Sequence, residues 1–258
     1  MSLDPQAERD AADHLARLDA LAPGLVSGFH LVGSATLGDY RSGASDLDIC
    51  VELTDRADIA ELAPAHRGTP CIVEGVYLPE GSLDGRYDRI EDVPWALSWP
   101  DERDAYGQLQ PVLQMSLARY SATLRGTPPA LPANPEELRA YARENLVGYW
   151  LPLIEHAQRR LPDFEAGEPV PAYQLIWLGT GPARLWHNIR AMEIISKTQA
   201  TELAAEHWPD LREPLLDIVA LRAGEDIPLT IAHVQAVVTL GQRILAECRP
   251  DLAEAAKG

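Results

Sequence analysis

The chain has few cysteines and no long apolar segment. Its three cysteines, Cys50, Cys71 and Cys248, are odd in number and far apart, which argues against a disulfide framework or a zinc site. We expect buried thiols in the reducing cytoplasm. No apolar run approaches the roughly 20 residues that span a bilayer. The first residues have neither a basic region nor an apolar core, so we expect no secretion and no membrane partner.

Basic residues are scarce as well. Lysine and arginine total 22 against 39 aspartates and glutamates, and the formal net charge is −17. A surface that binds phosphate backbones needs a basic footprint, so we expect no nucleic-acid partner. The acidity is compatible with a cationic small substrate drawn by long-range attraction. Alternatively, it serves only to keep the protein soluble. We expect a monomer or a weak homo-oligomer.

The hydrophobic pattern predicts a mixed first half and a helical second half. An α+β (α/β) fold follows, with an N-terminal domain over residues 1–130 that holds a mixed β-sheet with flanking helices. The C-terminal domain over residues 131–258 is an all-α helical bundle, and glycines and prolines around residues 126–135 mark the boundary. Predicted strands cover 26–32, 47–53 and 71–78. Predicted helices cover 5–22, 58–66, 111–124, 135–160, 172–195, 198–207, 211–222 and 231–248. A long loop packed by Trp95 and Trp99 covers 81–110.

The most informative stretch runs from Gly33 to Val51. It begins with a Gly33-Ser34 turn, which lets the backbone approach phosphate oxygens because glycine lacks a Cβ. It ends with Asp46 and Asp48 at the start of an apolar strand. Side chains at i and i+2 of a strand share a face, so these two carboxylates point the same way, with their Cα atoms about 6–7 Å apart. Mg²⁺ is typically bound by one or two carboxylates together with substrate phosphates.

A third acidic residue, Glu74, lies inside the apolar run 71–78. An ionisable group there is costly unless it has a partner. If its strand lies beside that of Asp46 and Asp48, its carboxylate joins the same cluster, where it can accept a hydroxyl proton or bind a metal. Alternatively, Glu74 is the exposed residue of an alternating edge strand. The set favours magnesium-assisted nucleotidyl transfer to an acceptor hydroxyl.

These residues carry a resemblance to a known family. The segment from Gly33 to Val51 resembles the signature of the DNA polymerase β-like nucleotidyltransferase superfamily. The whole chain looks like the aminoglycoside 3''-adenylyltransferase group, which adds a helical C-terminal domain of about this size. The resemblance implies that Ser34 and Ser45 contact the ATP phosphates, that Asp46 and Asp48 bind magnesium, and that Glu74 is the base.

The resemblance extends into the second half. Arg184-Leu185-Trp186 and Ser196-Lys197-Thr198 are similar to a family motif with the same arginine-to-lysine spacing, which implies that Arg184 and Lys197 reach the triphosphate. Without the resemblance, the alternative is a helix-surface arginine and a lysine at a helix C-terminus. Asp39 and Arg41 either line the mouth of the phosphate loop or only shape the turn.

The chain departs from the family at the acceptor. Where the family has acidic acceptor contacts, this chain has Val170 and Gln174, with Glu168 as the nearest acid, and Thr198 replaces an aspartate. The partners implied are a nucleoside triphosphate and a small acceptor, with antibiotic resistance as the associated property. A non-aminoglycoside or protein acceptor remains open, as does a catalytically silent nucleotide-binding regulatory module.

Overall fold

A computed structural model describes residues 3–99, 109–165 and 168–255. The chain divides into two compact units, Met1–Asn134 and Pro135–Gly258. Among the described residues, none of the helices combines the length and apolar composition needed to span a bilayer.

The first unit is a mixed sheet with helices. Its elements are α1 (Pro5–Leu21), β1 (Val26–Leu31), β2 (Leu47–Leu53), α2 (Ile59–Arg67), β3 (Val73–Pro79), β4 (Leu97–Trp99), α3 (Pro111–Tyr120) and β5 (Ala122–Arg125). Within the described residues the five strands have the order β4-β3-β2-β1-β5, β2 and β3 run parallel, and the other neighbours are antiparallel. The α+β class with a mixed sheet is therefore confirmed.

Two predictions for this unit were wrong in part. The predicted loop over 81–110 contains β4, and its residues 100–108 lie outside the described range. The predicted helix over 111–124 ends at Tyr120, because Ser121 is extended and residues 122–125 pair with the edge of β1. The open edge of β1 offers backbone hydrogen bonds that no local hydrophobic pattern records. Trp99 is buried as expected, and Trp95 is partly buried against the same core.

The second unit is helical. Its helices are α4 (Pro135–Asn145), α5 (Leu151–Arg159), α6 (Leu161–Glu165), α7 (Ala172–Ala191), α8 (Lys197–His207), α9 (Arg212–Arg222) and α10 (Ile231–Ala255). The helix predicted over 135–160 is interrupted by a π-helical turn, Leu146–Trp150, just before Pro152, which has no N–H to donate. The helix predicted to reach Ile195 ends at Ala191, because Met192 adopts a left-handed conformation with φ of 58°.

The two faces of the sheet bury separate sets of side chains. Leu47, Ile49 and Val51 of β2 pack with α1 and α2 in one cluster. Cys50 of β2 and Val76 of β3 belong to a second cluster on the other face. Because side chains alternate along a strand, residue parity in β2 and β3 identifies the face.

Two buried histidines lie beside the cluster that contains Leu47, Ile49 and Val51. His14 and His66 have ring centroids 4.9 Å apart, and His66 stacks on Trp99 at 4.5 Å with an interplanar angle of 9°. Both are almost fully buried. Desolvation by burial lowers the pKa of His14 to about 4 and that of His66 to about 3. Both imidazoles are therefore neutral at neutral pH.

This burial predicts acid sensitivity of folding. The unfolded chain titrates these histidines near 6.5, so between about pH 5 and 6 it binds nearly two more protons than the folded chain. We expect the free energy of unfolding to fall with decreasing pH there, by about 1.4 kcal/mol per pH unit for each histidine. Urea unfolding at a series of pH values measures this slope.

His14→Phe should lower the slope by about 1.4 kcal/mol per pH unit, the contribution of one such histidine, whatever it does to absolute stability. His156→Gln is the control, because His156 is exposed and the change should leave the slope unaltered. A slope in His14→Phe equal to that of the unaltered protein contradicts this account.

Candidate active site

The glycine-serine turn lies directly against an aspartate. Gly33–Ala35 form one 3₁₀ turn after β1, and Gly33 has a φ of +66°. A Cβ on Gly33 would overlap the carboxylate of Asp48. The Val32 N–H donates to the Asp48 carbonyl at 3.1 Å, which fixes the turn beside the start of β2. Glycine is required here both for its backbone conformation and for the close approach of Asp48.

The loop after this turn holds the second serine. Asp39 N–H donates to the Ser34 carbonyl at 3.1 Å, and Arg41 N–H donates to Ser45 Oγ at 3.0 Å. The Asp39 carboxylate lies 3.7 Å from the Arg41 guanidinium, so these two side chains are engaged with each other within the turn. Ser34 and Ser45 thus belong to one backbone-bonded loop, at its two ends.

The carboxylates of β2 and β3 are aligned by strand register. Asp48 pairs with Glu74 in the parallel ladder, where neighbouring strands are about 4.8 Å apart. Paired residues point to the same side, which here is the side of Cys50 and Val76. Asp46 lies two residues before Asp48, immediately ahead of β2. Asp46 and Asp48 are half-buried, and Glu74 is exposed.

β3 is an interior strand, between β2 and β4, and β4 pairs with it only from Gly75 onward. Glu74 therefore lies one residue beyond the described pairing of β3 with β4, and its side chain is exposed among the described residues. The alternative of an edge-strand position for Glu74 does not hold.

The carboxylates were expected to meet around a metal ion. Within residues 3–99, 109–165 and 168–255, no three His, Cys, Asp or Glu side chains are gathered closely enough to hold one. Mg²⁺ needs only one or two protein carboxylates when substrate phosphates complete its shell. Asp46 and Asp48 supply hard oxygen donors beside the glycine-serine turn, and this donor set fits that requirement.

The two basic residues of the helical unit lie on different helices. Arg184 is half-buried on α7, and its charge lies near Tyr141 of α4. Burial raises the pKa of Tyr141, and the positive charge of Arg184 offsets part of that rise. Lys197 is the exposed first residue of α8, directly after the Ser196 N-cap and its capping box with Gln199. The alternative interpretation of Lys197 as a helix C-terminal residue is therefore wrong. A cation at a helix N-terminus is opposed by the helix dipole.

In residues 168–174, where the family has its acidic acceptor contacts, the acidic residue is in an ion pair. Glu168 is bound by Arg160, with an N–O distance of 2.6 Å. Gln174 is exposed on the first turn of α7, and Val170 is partly buried against the helical core.

Sequence reasoning missed the aromatic side chains of this region. Trp150 is buried in the helical core, and Trp177 is half-buried, packs against that core and lies beside the exposed Tyr149 and Tyr173. The available signal was the spacing of Tyr173 and Trp177, four residues apart at the start of a helix. That spacing places both on one face.

Comparisons with known proteins bear on the fold. No family model matches the chain, and no curated protein does either. Its structure is similar to that of the spectinomycin adenyltransferase AAD(9) from Enterococcus faecialis, determined with ATP and spectinomycin. The TM-score is 0.60 at 17% identity, over 92% of this chain and 98% of that one. The expected nucleotidyltransferase-type fold, a mixed sheet followed by a helical region, is thereby confirmed.

The contact between Gly33 and Asp48 is directly testable. Gly33→Ala adds a Cβ into the Asp48 carboxylate at a positive φ, so the turn or the aspartate must move. Gly38→Ala is a matched control: its φ is +70° and nothing lies within 4 Å of the added Cβ. Both changes carry the backbone cost of about 1–2 kcal/mol for a left-handed alanine.

We expect Gly33→Ala to lose at least about 1–2 kcal/mol more unfolding free energy than Gly38→Ala, which is the size of an overpacking penalty. Chemical denaturation of both variants measures the difference. Equal losses in the two variants would show that Asp48 does not press on the turn.

Proposed function

We propose that the protein is a magnesium-dependent nucleotidyltransferase that moves AMP from ATP to a hydroxyl of a small cationic acceptor of the aminoglycoside kind. The observation that carries this proposal is the in-register pairing of Asp48 and Glu74 beside a glycine-serine turn. The similarity in fold to an adenyltransferase solved with ATP and spectinomycin supports it. Three free cysteines are in keeping with a cytoplasmic protein.

ATP is the proposed donor. In the first unit, the hydroxyls of Ser34 and Ser45 and the backbone N–H groups of their loop are suited to phosphate oxygens. In the helical unit, Arg184 and Lys197 are the proposed cations for the triphosphate. Charge-assisted hydrogen bonds from such groups stabilise the negative charge on the transferring and leaving phosphates.

Asp46 and Asp48 would hold Mg²⁺, and a share of Glu74 in binding it would need its side chain to move closer, since the three carboxylates are not gathered around one point among the described residues. When bound, the ion neutralises phosphate charge and polarises the α-phosphoryl group. The spacing of Asp46 and Asp48 on one side of an extended segment presents two carboxylates toward the same point.

Glu74 is the proposed general base. As the acceptor oxygen forms a bond to the α-phosphorus of ATP, its hydroxyl proton passes to the Glu74 carboxylate. The bond between the α-phosphorus and the oxygen that bridges to the β-phosphate breaks, and pyrophosphate leaves with that oxygen. The exposure of Glu74 beyond the end of β4 leaves room for an acceptor hydroxyl beside it.

Removal of the base or of a metal ligand tests the mechanism. Glu74→Gln should lower kcat by about 10²–10⁴-fold with little change in ATP affinity, since proton transfer contributes that much. Asp48→Asn should abolish magnesium-dependent pyrophosphate release. Pyrophosphate release measured with labelled ATP and a panel of aminoglycosides and candidate proteins reports both the rate and the acceptor.

Glu80→Gln is the control, because Glu80 is exposed just past the far end of β3 and the change removes the same charge. Undiminished rates in both Glu74→Gln and Asp48→Asn would refute the mechanism. Tight ATP binding by calorimetry, with no pyrophosphate release on any acceptor, would instead identify a silent nucleotide-binding module.

The basic pair makes a separate prediction. Arg184→Gln and Lys197→Gln should each lower kcat/KM for ATP by about 10- to 100-fold. This factor corresponds to the loss of one hydrogen bond to a charged group, which contributes about 1.5–3 kcal/mol. Arg212→Gln, an exposed change of equal charge at the start of α9, should have little effect. If kcat/KM for ATP falls by the same small factor in all three variants, the specific roles of Arg184 and Lys197 are refuted and only the overall charge of the helical unit matters.

A further inference from the structure

A long loop between β1 and β2 carries both serines of the candidate site. We call residues 33–46 the serine loop. It begins with the 3₁₀ turn and contains only further turns and extended backbone after it. Such a loop has no ladder of backbone hydrogen bonds along its length, and loops this long inside a compact domain are usually functional. Contacts with neighbouring elements are therefore needed to keep its two ends at a fixed separation.

The helix α1 places a carboxylate on the side that it buries. Asp10 is 6% exposed. Other residues on the buried side of this helix are apolar: Ala7, Ala11, Leu15 and Leu18. A buried carboxylate is costly unless hydrogen bonds satisfy it. Gln6 Nε2 donates to one oxygen of Asp10 at 2.7 Å, and the Tyr40 hydroxyl donates to the other at 2.8 Å. A residue needed only for packing would be apolar here, so the acid at this position is explained by its hydrogen bonds.

Tyr40 lies in the middle of the serine loop and is buried. Its ring belongs to the cluster that also contains Ala7 and Ala11 of α1. Burial, and next its hydrogen bond to Asp10, raise the pKa of the Tyr40 hydroxyl above its usual range, so the group keeps its proton and donates it. The thiol of Cys71, just ahead of β3, is also hydrogen-bonded to the Tyr40 side chain. The middle of the loop is thus fixed to α1 by a buried polar contact.

The chain neighbours of Tyr40 bind the two serines. On one side, the Asp39 N–H donates to the Ser34 carbonyl at 3.1 Å. On the other side, the Arg41 N–H donates to Ser45 Oγ at 3.0 Å, and the Arg41 carbonyl accepts from the Ser45 N–H at 2.8 Å. Because a hydroxyl has two acceptor sites and one donor, Ser45 Oγ still has its proton to donate to an anion. A displacement of Tyr40 would move hydrogen-bond partners of both serines together.

We propose that Asp10 and Tyr40 are a positioning pair, which holds the serine loop in the conformation in which Ser34 and Ser45 can bind the triphosphate together. Neither member of the pair contacts the nucleotide. Their hydrogen bond orders the loop before ATP arrives, and this lowers the entropic cost of binding. The inference rests on the proposed function for the identity of the anion.

Removal of one hydroxyl tests the pair. Tyr40→Phe keeps the ring and loses the hydrogen bond to Asp10. Ser34 and Ser45 would hold phosphates both before and during transfer, so a less ordered loop should raise KM for ATP by about three- to tenfold and change kcat by less than about twofold. Steady-state kinetics with varied ATP measures both constants.

Tyr77→Phe is the matched control. Tyr77 is also buried in the first unit, and its hydroxyl is hydrogen-bonded to His66 Nε2 at 3.0 Å. The change therefore removes a buried hydroxyl and one hydrogen bond as well, but far along β3 from the serine loop. It should leave KM for ATP within about twofold of the unaltered protein. An equal rise of KM in the two variants overturns the proposal, because general destabilisation would then explain it.

A double variant separates positioning from stability. Replacing both partners of a buried hydrogen bond by apolar groups of similar size can be nearly neutral or stabilising. We therefore expect Asp10→Leu combined with Tyr40→Phe to unfold in urea at no lower concentration than Tyr40→Phe alone, while KM for ATP stays raised. Asp10→Asn keeps an oxygen that accepts from Tyr40 and should leave KM near that of the unaltered protein. A stable double variant with an unaltered KM overturns the proposal.

Hydrogen exchange tests the anchor without nucleotide. The amides of Asp39 and Arg41, which donate within the serine loop, should exchange several-fold faster in Tyr40→Phe and at unchanged rates in Tyr77→Phe. Unchanged protection in Tyr40→Phe overturns the proposal. ATP binding by Tyr40→Phe as tight as by the unaltered protein also overturns it, but leaves the proposed function intact. An unaltered protein that neither binds ATP nor releases pyrophosphate refutes the proposed function, and the exchange rates then still decide whether Asp10 and Tyr40 hold the loop.

Discussion

The candidate site depends on one close contact, that of the Asp48 carboxylate with the backbone of Gly33. It requires a residue without a side chain at Gly33, and it fixes the start of β2 against the turn that follows β1. Parallel pairing then brings Glu74 opposite Asp48. The glycine-serine turn and two of the three carboxylates are thus located by two backbone relations, both within the first unit.

The same strand shows why the position of a carboxylate matters more than its presence. Glu52 lies four residues after Asp48 and on the same face, but it is buried, accepts a hydrogen bond from the Leu83 N–H at 3.2 Å and lies 3.5 Å from His30. Its oxygens are used internally. Asp48, at the start of the strand, is half-buried, and Glu74 beside it is exposed. Among the described residues, the side chains of Asp48 and Glu74 are thus more accessible to solvent than that of Glu52.

Local signals in the sequence were sufficient for the elements that build this end of the sheet. The β-rich runs and the i, i+2 relation of Asp46 and Asp48 are short-range features, and α1, β1, β2 and β3 formed close to their predicted bounds. β4 and β5 were missed because they are short and exist only by pairing with distant strands. The pairing of Glu74 with Asp48 likewise depends on strand order, which hydrophobic periodicity does not record.

Lys197 illustrates where structure adds to sequence. Its motif alone allowed a lysine that stabilises a helix C-terminus, but α8 begins at Lys197. The capping box of Ser196 and Gln199 already satisfies backbone donors at this end, and a cation there works against the helix dipole by about 0.3–1 kcal/mol. A helix designed only for stability would carry an acid at this position. The lysine is in keeping with the triphosphate contact that we propose for it, because the positive end of the helix and the ammonium group would attract the same anion.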